Sequence, residues 1–342
     1  MSAARVLIVG AGALGLTTGY HLQRAGADIT FLVRPHRLAA LARPQRLYSY
    51  DEQHCNLLEN FEVVGDPEQL RGTDYDFILL TLDGATCFSE QGTMTLSILG
   101  EIFRGGRAVL IINGVGLGLY DHIRRTTGLP EARLLEGTMK MFAYMVGAAN
   151  APQPAPQDRA EHDGADVAYI NFPDHVGFFV TTAPKAPARA FAELFSASGV
   201  ATCKTIPTRL YRMSTNIFSA FTIASELNGW AGTESLVADP QLWPLCCESQ
   251  REMLRLRRNG FMGRLMAWLM SDKRIADTMR KSDREAAPMG LTEFNRCHHG
   301  GKVVAQNVGI LERCLAEGES AGQQMPATRE LVQRWQRQHA TG

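Results

Sequence analysis

The sequence has no stretch of about eighteen consecutive apolar residues, the length that a helix needs to cross a membrane. It also lacks an excess of either charge, since 35 basic residues balance 35 acidic ones. Balanced charge gives no global field that would attract nucleic acid or an anionic membrane. These two absences predict a protein that binds neither nucleic acid nor a membrane.

Cysteine is present but without pattern. The seven cysteines form no Cys-x-x-Cys pair, and they stand at positions 55, 87, 203, 246, 247, 297 and 314. Free thiols in a reducing compartment explain this scatter, so we expect a cytoplasmic protein. The adjacent His298-His299 has no third ligand at a suitable spacing, so we predict no metal site.

The length of 342 residues predicts two domains. The strongest local pattern is a glycine motif near the start of the chain. The apolar run 6–9 ends in Gly10-Ala11-Gly12-Ala13-Leu14-Gly15, and a helical pattern follows. A strand, GxGxxG and a helix in this order are typical of dinucleotide-binding sites. Gly10 permits the tight turn, Gly12 lets the backbone approach a pyrophosphate, and Gly15 lets the helix pack on the strand. Ala13 and Leu14 open the helix, whose first N–H groups face the phosphates.

A second apolar run, 28–33, ends at Arg34, with Arg37 close by. Enzymes specific for NAD have an acidic residue near this strand end, which binds the ribose 2′-hydroxyl. A guanidinium suits a 2′-phosphate by its charge and its fork geometry. Arg34 therefore favours NADP(H) over NAD, although a solvated loop arginine is the alternative.

Further apolar runs, 77–82 and 108–112, alternate with helical stretches and predict a doubly wound parallel sheet. Asn113 follows the second run, at the carboxyl edge where such sheets bind ligands. It is expected to contact the nicotinamide ribose or the substrate, unless it is only a turn residue. The runs 166–170 and 176–180 predict a hairpin that closes the sheet.

The C-terminal part has no strand signals. Helical patterns cover 210–227, 241–259, 265–279 and 303–317. We therefore expect a dinucleotide-binding domain over 1–205 and an all-helical domain over 206–342. The helical domain is expected to bind the substrate and to offer a surface for a homodimer.

Four segments resemble the ketopantoate reductase family. The glycine motif matches the family's N-terminus, and Asn113-Gly114-Val115-Gly116 is similar to its Asn-Gly-x-Gly. Arg209-Leu210-Tyr211-Arg212-Met213-Ser214-Thr215-Asn216 resembles the segment that opens its helical domain. Leu291-Thr292-Glu293-Phe294-Asn295 resembles its Thr-Glu-Ile-Asp segment. In this order and spacing, the likeness covers nearly the whole chain.

The resemblance implies a Rossmann-type sheet followed by a helical domain, an architecture similar to that of 6-phosphogluconate dehydrogenase. It implies reduction of a 2-oxo acid to a 2-hydroxy acid by NADPH, the 2-dehydropantoate 2-reductase reaction of pantothenate biosynthesis. It carries over Asn113, Asn216 and Glu293 as site residues, and it puts Arg212 in the place of the family's catalytic lysine.

The sequence departs from the family's pattern at several positions. Arg212 is a poor proton donor, because the pKa of arginine exceeds about 12; we expect it to stabilise an oxyanion together with Asn216. Asp83 replaces a lysine that helps many members to bind the cofactor phosphate. Either Lys281 or Ser282 stands at the family's carboxylate-binding serine. Residues 296–300 replace a Tyr-x-Asn-Gly pattern, with room for an insertion.

These departures leave three functions open. The first is a ketopantoate-reductase-like enzyme that reduces a 2-oxo acid. The second is a relative that reduces another carbonyl or an imine in a specialised biosynthetic pathway. The third is a sensor that binds NADP without catalysis.

Overall fold

The computed structural model describes residues 3–148, 151–152 and 159–340. The contacts between residues divide the chain into a first unit that ends at Thr208 and a second unit that begins at Arg209. The domain boundary expected from the sequence lies between 205 and 206. Within the described residues, no helix is both long and apolar enough to span a membrane.

The first unit contains the strands. In chain order they are β1 Arg5–Val9, β2 Asp28–Leu32, β3 Gln45–Ser49, β4 His54–Leu58, β5 Glu62–Val64, β6 Phe77–Leu80, β7 Val109–Asn113, β8 Leu134–Met139, β9 Phe142–Met145, β10 Val167–Ile170, β11 Val176–Thr181 and β12 Thr202–Ile206. Its helices are α1 Ala13–Arg24, α2 Gly84–Phe88, α3 Glu90–Phe103, α4 Leu119–Thr127, α5 Arg159–Asp163 and α6 Lys185–Ser196.

The larger sheet has the order β12-β11-β8-β7-β6-β1-β2-β5. Six neighbouring strands of this sheet, β8, β7, β6, β1, β2 and β5, run parallel to one another. The next strand, β11, runs antiparallel to β8. The strand order reverses between β1 and β6, which is the place where doubly wound sheets bind their ligands. The predicted doubly wound, mainly parallel sheet is confirmed.

Helices cover both faces of this sheet, so its central strands are apolar on both sides. On one face, Ile8 and Ile111 share a core with Leu16 of α1. On the other face, Leu7 and Leu110 pack in a core that contains residues of α3. Because successive side chains of a strand point to opposite faces, the continuous apolar runs serve two cores at once.

A second, four-stranded sheet has the order β4-β3-β10-β9. The predicted hairpin of 166–170 and 176–180 is wrong, because β10 pairs with β3 and β9 while β11 pairs with β8 and β12. Both runs are apolar enough for a strand, but a sequence pattern does not identify the partner of a strand. The tight-turn signal that would specify a hairpin is absent between them.

The second unit is helical throughout its described residues, as predicted. Its helices are α7 Thr208–Leu227, α8 Thr233–Ala238, α9 Leu242–Leu254, α10 Gly260–Leu269, α11 Asp272–Glu285, α12 Leu291–Cys297, α13 Val304–Ser320 and α14 Pro326–Ala340. The predicted helix 265–279 is wrong, because the helix is interrupted between the end of α10 at Leu269 and the start of α11 at Asp272. The hydroxyl of Ser271 accepts a hydrogen bond from the amide of Arg274 and so caps α11.

Candidate functional site

The glycine motif forms the turn between β1 and α1. Gly10 has a φ of 106°, a value that glycine adopts readily, and its amide donates to the carbonyl of Leu32 at 2.9 Å. A Cβ on Gly15 would lie 2.1 Å from the carbonyl oxygen of Gly10. Any side chain at position 15 would therefore force α1 away from the strand, and the turn would lose its shape.

The N-terminus of α1 has the chemistry of an anion site. Gly12 is the N-cap residue in an extended conformation, no side chain caps the helix, and no acidic residue lies in its first turn. The amides of the first turn, which begins at Ala13 and Leu14, lack partners within the helix. The helix dipole adds partial positive charge at the same place. These features fit the pyrophosphate of a dinucleotide.

Thr81, directly after β6, supports this turn from the neighbouring strand. Its hydroxyl oxygen lies 2.9 Å from the carbonyl oxygen of Val9 and 3.0 Å from that of Gly10. This residue was not predicted from the sequence. The available signal was a polar residue at the carboxyl end of an apolar run, the same signal that identified Asn113.

Arg34 lies next to the glycine turn in the sheet. It follows the end of β2, whose Leu32 accepts the hydrogen bond from Gly10, and it is the N-cap of a 3-10 helix over Pro35–Arg37. Arg34 is exposed, and no acceptor for its guanidinium is found among the described residues. This position allows it to reach an anion that lies beyond the end of β2.

Asn113 ends β7 and is only 7% exposed. Its Oδ1 accepts a hydrogen bond of 2.9 Å from the amide of Met139, the last residue of β8. Because a backbone N–H only donates, this contact fixes which amide atom is the oxygen. The Nδ2 is buried and has no hydrogen-bond partner in the described part of the chain. A buried donor of this kind is satisfied when a ligand brings an acceptor.

Asp83 has a structural role in place of the family's phosphate-binding lysine. Its carboxylate caps α2 by accepting from the amide of Thr86 at 2.8 Å and from the hydroxyl of Thr86 at 2.9 Å. The carboxylate is therefore held at the start of a helix, where its charge is favourable.

In the second unit, Arg212 and Asn216 lie one turn apart on α7. Arg212 is exposed and Asn216 is partly buried. The Nδ2 of Asn216 donates to the carbonyl of Arg212 at 2.8 Å. Its Oδ1 is buried and has no hydrogen-bond partner in the described part of the unit. The unused atom of this amide is thus an acceptor, which suits a hydroxyl donor.

Glu293 lies on α12 in a bidentate ion pair with Arg296, at 2.6 and 2.9 Å. The Sγ of Cys297 lies 3.8 Å from its carboxylate. The carboxylate hydrogen bond raises the pKa of Arg296 above its ordinary value. The carboxylate of Glu293 therefore faces a charged guanidinium on its own helix.

A π-helix over His298–Lys302 follows α12 directly. A π-turn accommodates one extra residue in a helix, so it agrees with the insertion that the sequence allowed in 296–300. It brings Gly300 against Trp230, whose indole would lie within 2.9 Å of a Cβ on Gly300. A small pocket opens nearby and is lined by Ser225, Asn228, Thr292 and Asn295 among others. None of Arg212, Asn216 and Glu293 lines it.

The two candidates for a carboxylate-binding position lie on α11. Lys281 is exposed, with its ammonium 3.5 Å from Glu285. Ser282 donates its hydroxyl to the carbonyl of Thr278 at 3.1 Å. Both contacts are ordinary for a helix surface, so the choice between the two residues stays a prediction.

The structure thus brings the first-unit residues together at one sheet edge. The glycine turn, Thr81, Arg34 and Asn113 all follow the carboxyl ends of parallel strands. Arg212 and Asn216 are adjacent on one helix, and Glu293 lies on another.

Comparison with known proteins gives a family match for the N-terminal part of the chain. Residues 6–151 match the family model described as "Ketopantoate reductase PanE/ApbA". The resemblance found in the sequence motifs is therefore confirmed. No curated protein matches the sequence.

Solved structures share the fold over nearly the whole chain. A 2-dehydropantoate 2-reductase from Geobacter metallireducens GS-15 is 19% identical with a TM-score of 0.65, and the match covers 97% of this chain and 99% of that one. A 2-dehydropantoate 2-reductase from Methylococcus capsulatus is 14% identical with a TM-score of 0.70, covering 98% and 97%. D-mandelate dehydrogenase in a ternary structure with NADH and anilino(oxo)acetate is 12% identical with a TM-score of 0.68, covering 98% of both chains.

Proposed function

We propose that this protein is an NADPH-dependent reductase that converts a 2-oxo acid to a 2-hydroxy acid. The observation that carries the proposal is the uncapped, acid-free N-terminus of α1, built by Gly10, Gly12 and Gly15 within the region that matches the ketopantoate reductase model. The buried, unsatisfied Nδ2 of Asn113 at the same sheet edge supports it.

The choice of NADPH rests on Arg34. A 2′-phosphate beyond the end of β2 would meet an exposed guanidinium, whereas an NAD-specific site has a carboxylate there. The D-mandelate dehydrogenase of the same fold was solved with NADH. The two coenzymes are therefore compared directly in the substrate screen.

When bound, the coenzyme would supply a hydride to the carbonyl carbon of the substrate. The carbonyl oxygen then becomes an alkoxide that needs positive charge and a proton. Arg212 supplies the charge, because its guanidinium stays protonated at every physiological pH. Since arginine does not release its proton readily, the proton comes from water, and Glu293 orients that water or a substrate hydroxyl.

Asn216 has a narrower role than simple oxyanion stabilisation. One N–H of its Nδ2 is used by the carbonyl of Arg212, and the buried unsatisfied atom is Oδ1. An acceptor repels an alkoxide but binds a hydroxyl. We therefore assign the Oδ1 of Asn216 to a hydroxyl group of the substrate.

The test is a screen in which NADPH or NADH is mixed with each of a panel of 2-oxo acids. Oxidation of the coenzyme is measured as the loss of absorbance of the reduced nicotinamide. Turnover of 2-oxo acids with a preference for NADPH supports the proposal. Turnover of imines or of simple ketones in place of acids would support the specialised relative. Tight NADPH binding without turnover of any substrate would make the protein a sensor.

Ketopantoate itself belongs in the panel, because the pantothenate pathway is the family's place in metabolism. A homodimer and a cytoplasmic location complete the proposal; size-exclusion chromatography with light scattering tests the first.

A further inference from the structure

Of the six parallel strands, β2 and β8 are followed within two residues by a cation. Arg34 follows β2, and Lys140 follows β8; the other strands are followed by Gly10, Gly65, Thr81 and Gly114. The strand order places β2 on one side of β1 and β8 on the other. A dinucleotide bound across the reversal point extends toward both sides, with its adenosine half near β2. Lys140 therefore lies on the nicotinamide side.

Lys140 is tied to the same edge as Asn113. In the register of β7 and β8, Asn113 pairs with Gly137, and the amide of Met139 donates to the side chain of Asn113. Lys140 is the next residue, and its own amide donates to the carbonyl of Gly177 at 2.9 Å. The backbone that positions Lys140 is thus fixed by hydrogen bonds on both sides.

The ammonium of Lys140 makes a two-oxygen contact with Asp174, at 2.8 and 2.7 Å, and lies 4.8 Å from the ring centre of Phe172. Its side chain is 25% exposed. Partial burial alone would raise the pKa of Asp174, but hydrogen bonds from Lys140 and from the amide of Val176 outweigh it and lower that pKa. An ammonium has three N–H donors, and Asp174 occupies two of them.

We propose that Lys140 binds the carboxylate of the 2-oxo acid through its remaining N–H donor and its charge, and that Asp174 competes with this carboxylate for the ammonium. The inference rests on the proposed function, since it concerns the acid group of that substrate. It assigns to a cation of the first unit the recognition of the acid group of the substrate.

The experiment compares a 2-oxo acid with its methyl ester, which keeps the ketone and lacks the charge. Lys140→Met keeps the packing on Phe172 but removes the ammonium. We expect KM for the acid to rise about ten- to a hundred-fold, as for a lost charge-assisted hydrogen bond. KM for the ester, kcat and the affinity for NADPH should change little. Lys140→Arg should keep most of the acid affinity.

Asp174→Asn distinguishes binding of the substrate by Lys140 from a purely structural role of the Lys140–Asp174 ion pair. If the pair only braces the loop, Asp174→Asn and Lys140→Met should raise KM for both substrates to the same extent, and that result would overturn the inference. If Lys140 binds the acid, removing the competing carboxylate should leave KM for the acid unchanged or lower it. This variant carries the test alone if Lys140→Met does not fold. Lys273→Met, which breaks a 2.8 Å pair with Asp277 on the exposed side of α11, is the matched control.

The two proposals fail in distinguishable ways. An enzyme that reduces 2-oxo acids while Lys140→Met keeps its acid KM overturns this inference alone. An enzyme that reduces no 2-oxo acid overturns the proposed function, and this inference with it.

Discussion

At the scale of single residues, Arg34 follows β2 next to the glycine turn, and it is exposed with no described acceptor. We predict that Arg34→Ala weakens the binding of NADPH about ten- to a hundred-fold and leaves NADH nearly unaffected, because only NADPH carries the 2′-phosphate. Fluorescence titration with both coenzymes measures this. Arg24→Ala, which removes an exposed arginine at the far end of α1, is the control. Equal weakening of both coenzymes would show that Arg34 does not bind the phosphate.

Arg212 offers a second prediction at this scale. If it stabilises the alkoxide, Arg212→Ala should lower kcat by about a hundred- to a thousand-fold and raise KM much less, because the contact is made mainly in the transition state. Steady-state kinetics on the best substrate of the panel measure both constants. Arg264→Ala on exposed α10 is the control for an altered surface charge. Nearly full turnover of Arg212→Ala would transfer the role to Glu293 or to another residue.

The companion variant Arg212→Lys distinguishes two kinds of site. A site still shaped for the family's lysine should keep or gain activity, because lysine both holds charge and donates a proton. A site shaped around the planar guanidinium should lose activity although the charge is kept. The measurement is kcat at several pH values. An unchanged pH profile in the lysine variant would argue against proton donation at this position.

At the scale of elements, the start of α1 determines whether the cofactor binds. Gly12 caps this helix without a side chain. We predict that Gly12→Val abolishes measurable NADPH binding, since its side chain would stand where the pyrophosphate approaches the backbone. Circular dichroism should show a folded chain. Gly105→Val, at a glycine with no atom within 4 Å of an added Cβ, is the matched control. Unchanged affinity in Gly12→Val would show that the phosphates bind elsewhere.

The elements also show what sequence patterns can predict. The runs that became β1, β2, β6 and β7 were found because a strand buried on both faces is continuously apolar. The partners of β10 and β11 were not found, because pairing between distant strands leaves no local signal. Asn113 was identified by its place after a strand, but its contact with Met139 depends on the register of β7 and β8. Lys140 was missed because β8, which contains Glu136 and Gly137, lacks a clear apolar run.

At the scale of the whole molecule, His21 couples stability to pH. It is fully buried in α1, with its ring stacked on Phe195 and its Nδ1 2.7 Å from the carbonyl of Thr17. Burial lowers the pKa of His21 from 6.5 to about 4, and the Thr17 contact only partly offsets it. Between these two values the unfolded chain binds a proton that the folded chain does not. Folding is therefore favoured above pH 6.5 and loses stability as the pH falls toward 4.

We predict that the buried His21 lowers the free energy of unfolding by about 3 kcal/mol as the pH falls from 6.5 to about 4. His21→Leu should remove this part of the pH dependence, because leucine does not titrate. Urea unfolding at pH 7 and pH 4.5 gives the free energies for the wild type and the variant. His36→Leu, on the exposed turn after β2, is the control. The same pH slope in wild type and His21→Leu would assign the acid sensitivity to other groups.

The four-stranded sheet joins two distant parts of the chain. β3 and β4 are made early in synthesis, but β10, which pairs with β3, is made only after β9 has been added. Until residue 170 leaves the ribosome, the β3–β4 hairpin has an edge of unpaired backbone groups. We therefore expect a nascent chain that ends before β10 to bind chaperones and to resist proteases poorly. Addition of β10 should protect this hairpin edge, whereas the edge of β8 stays unpaired until β11 is added.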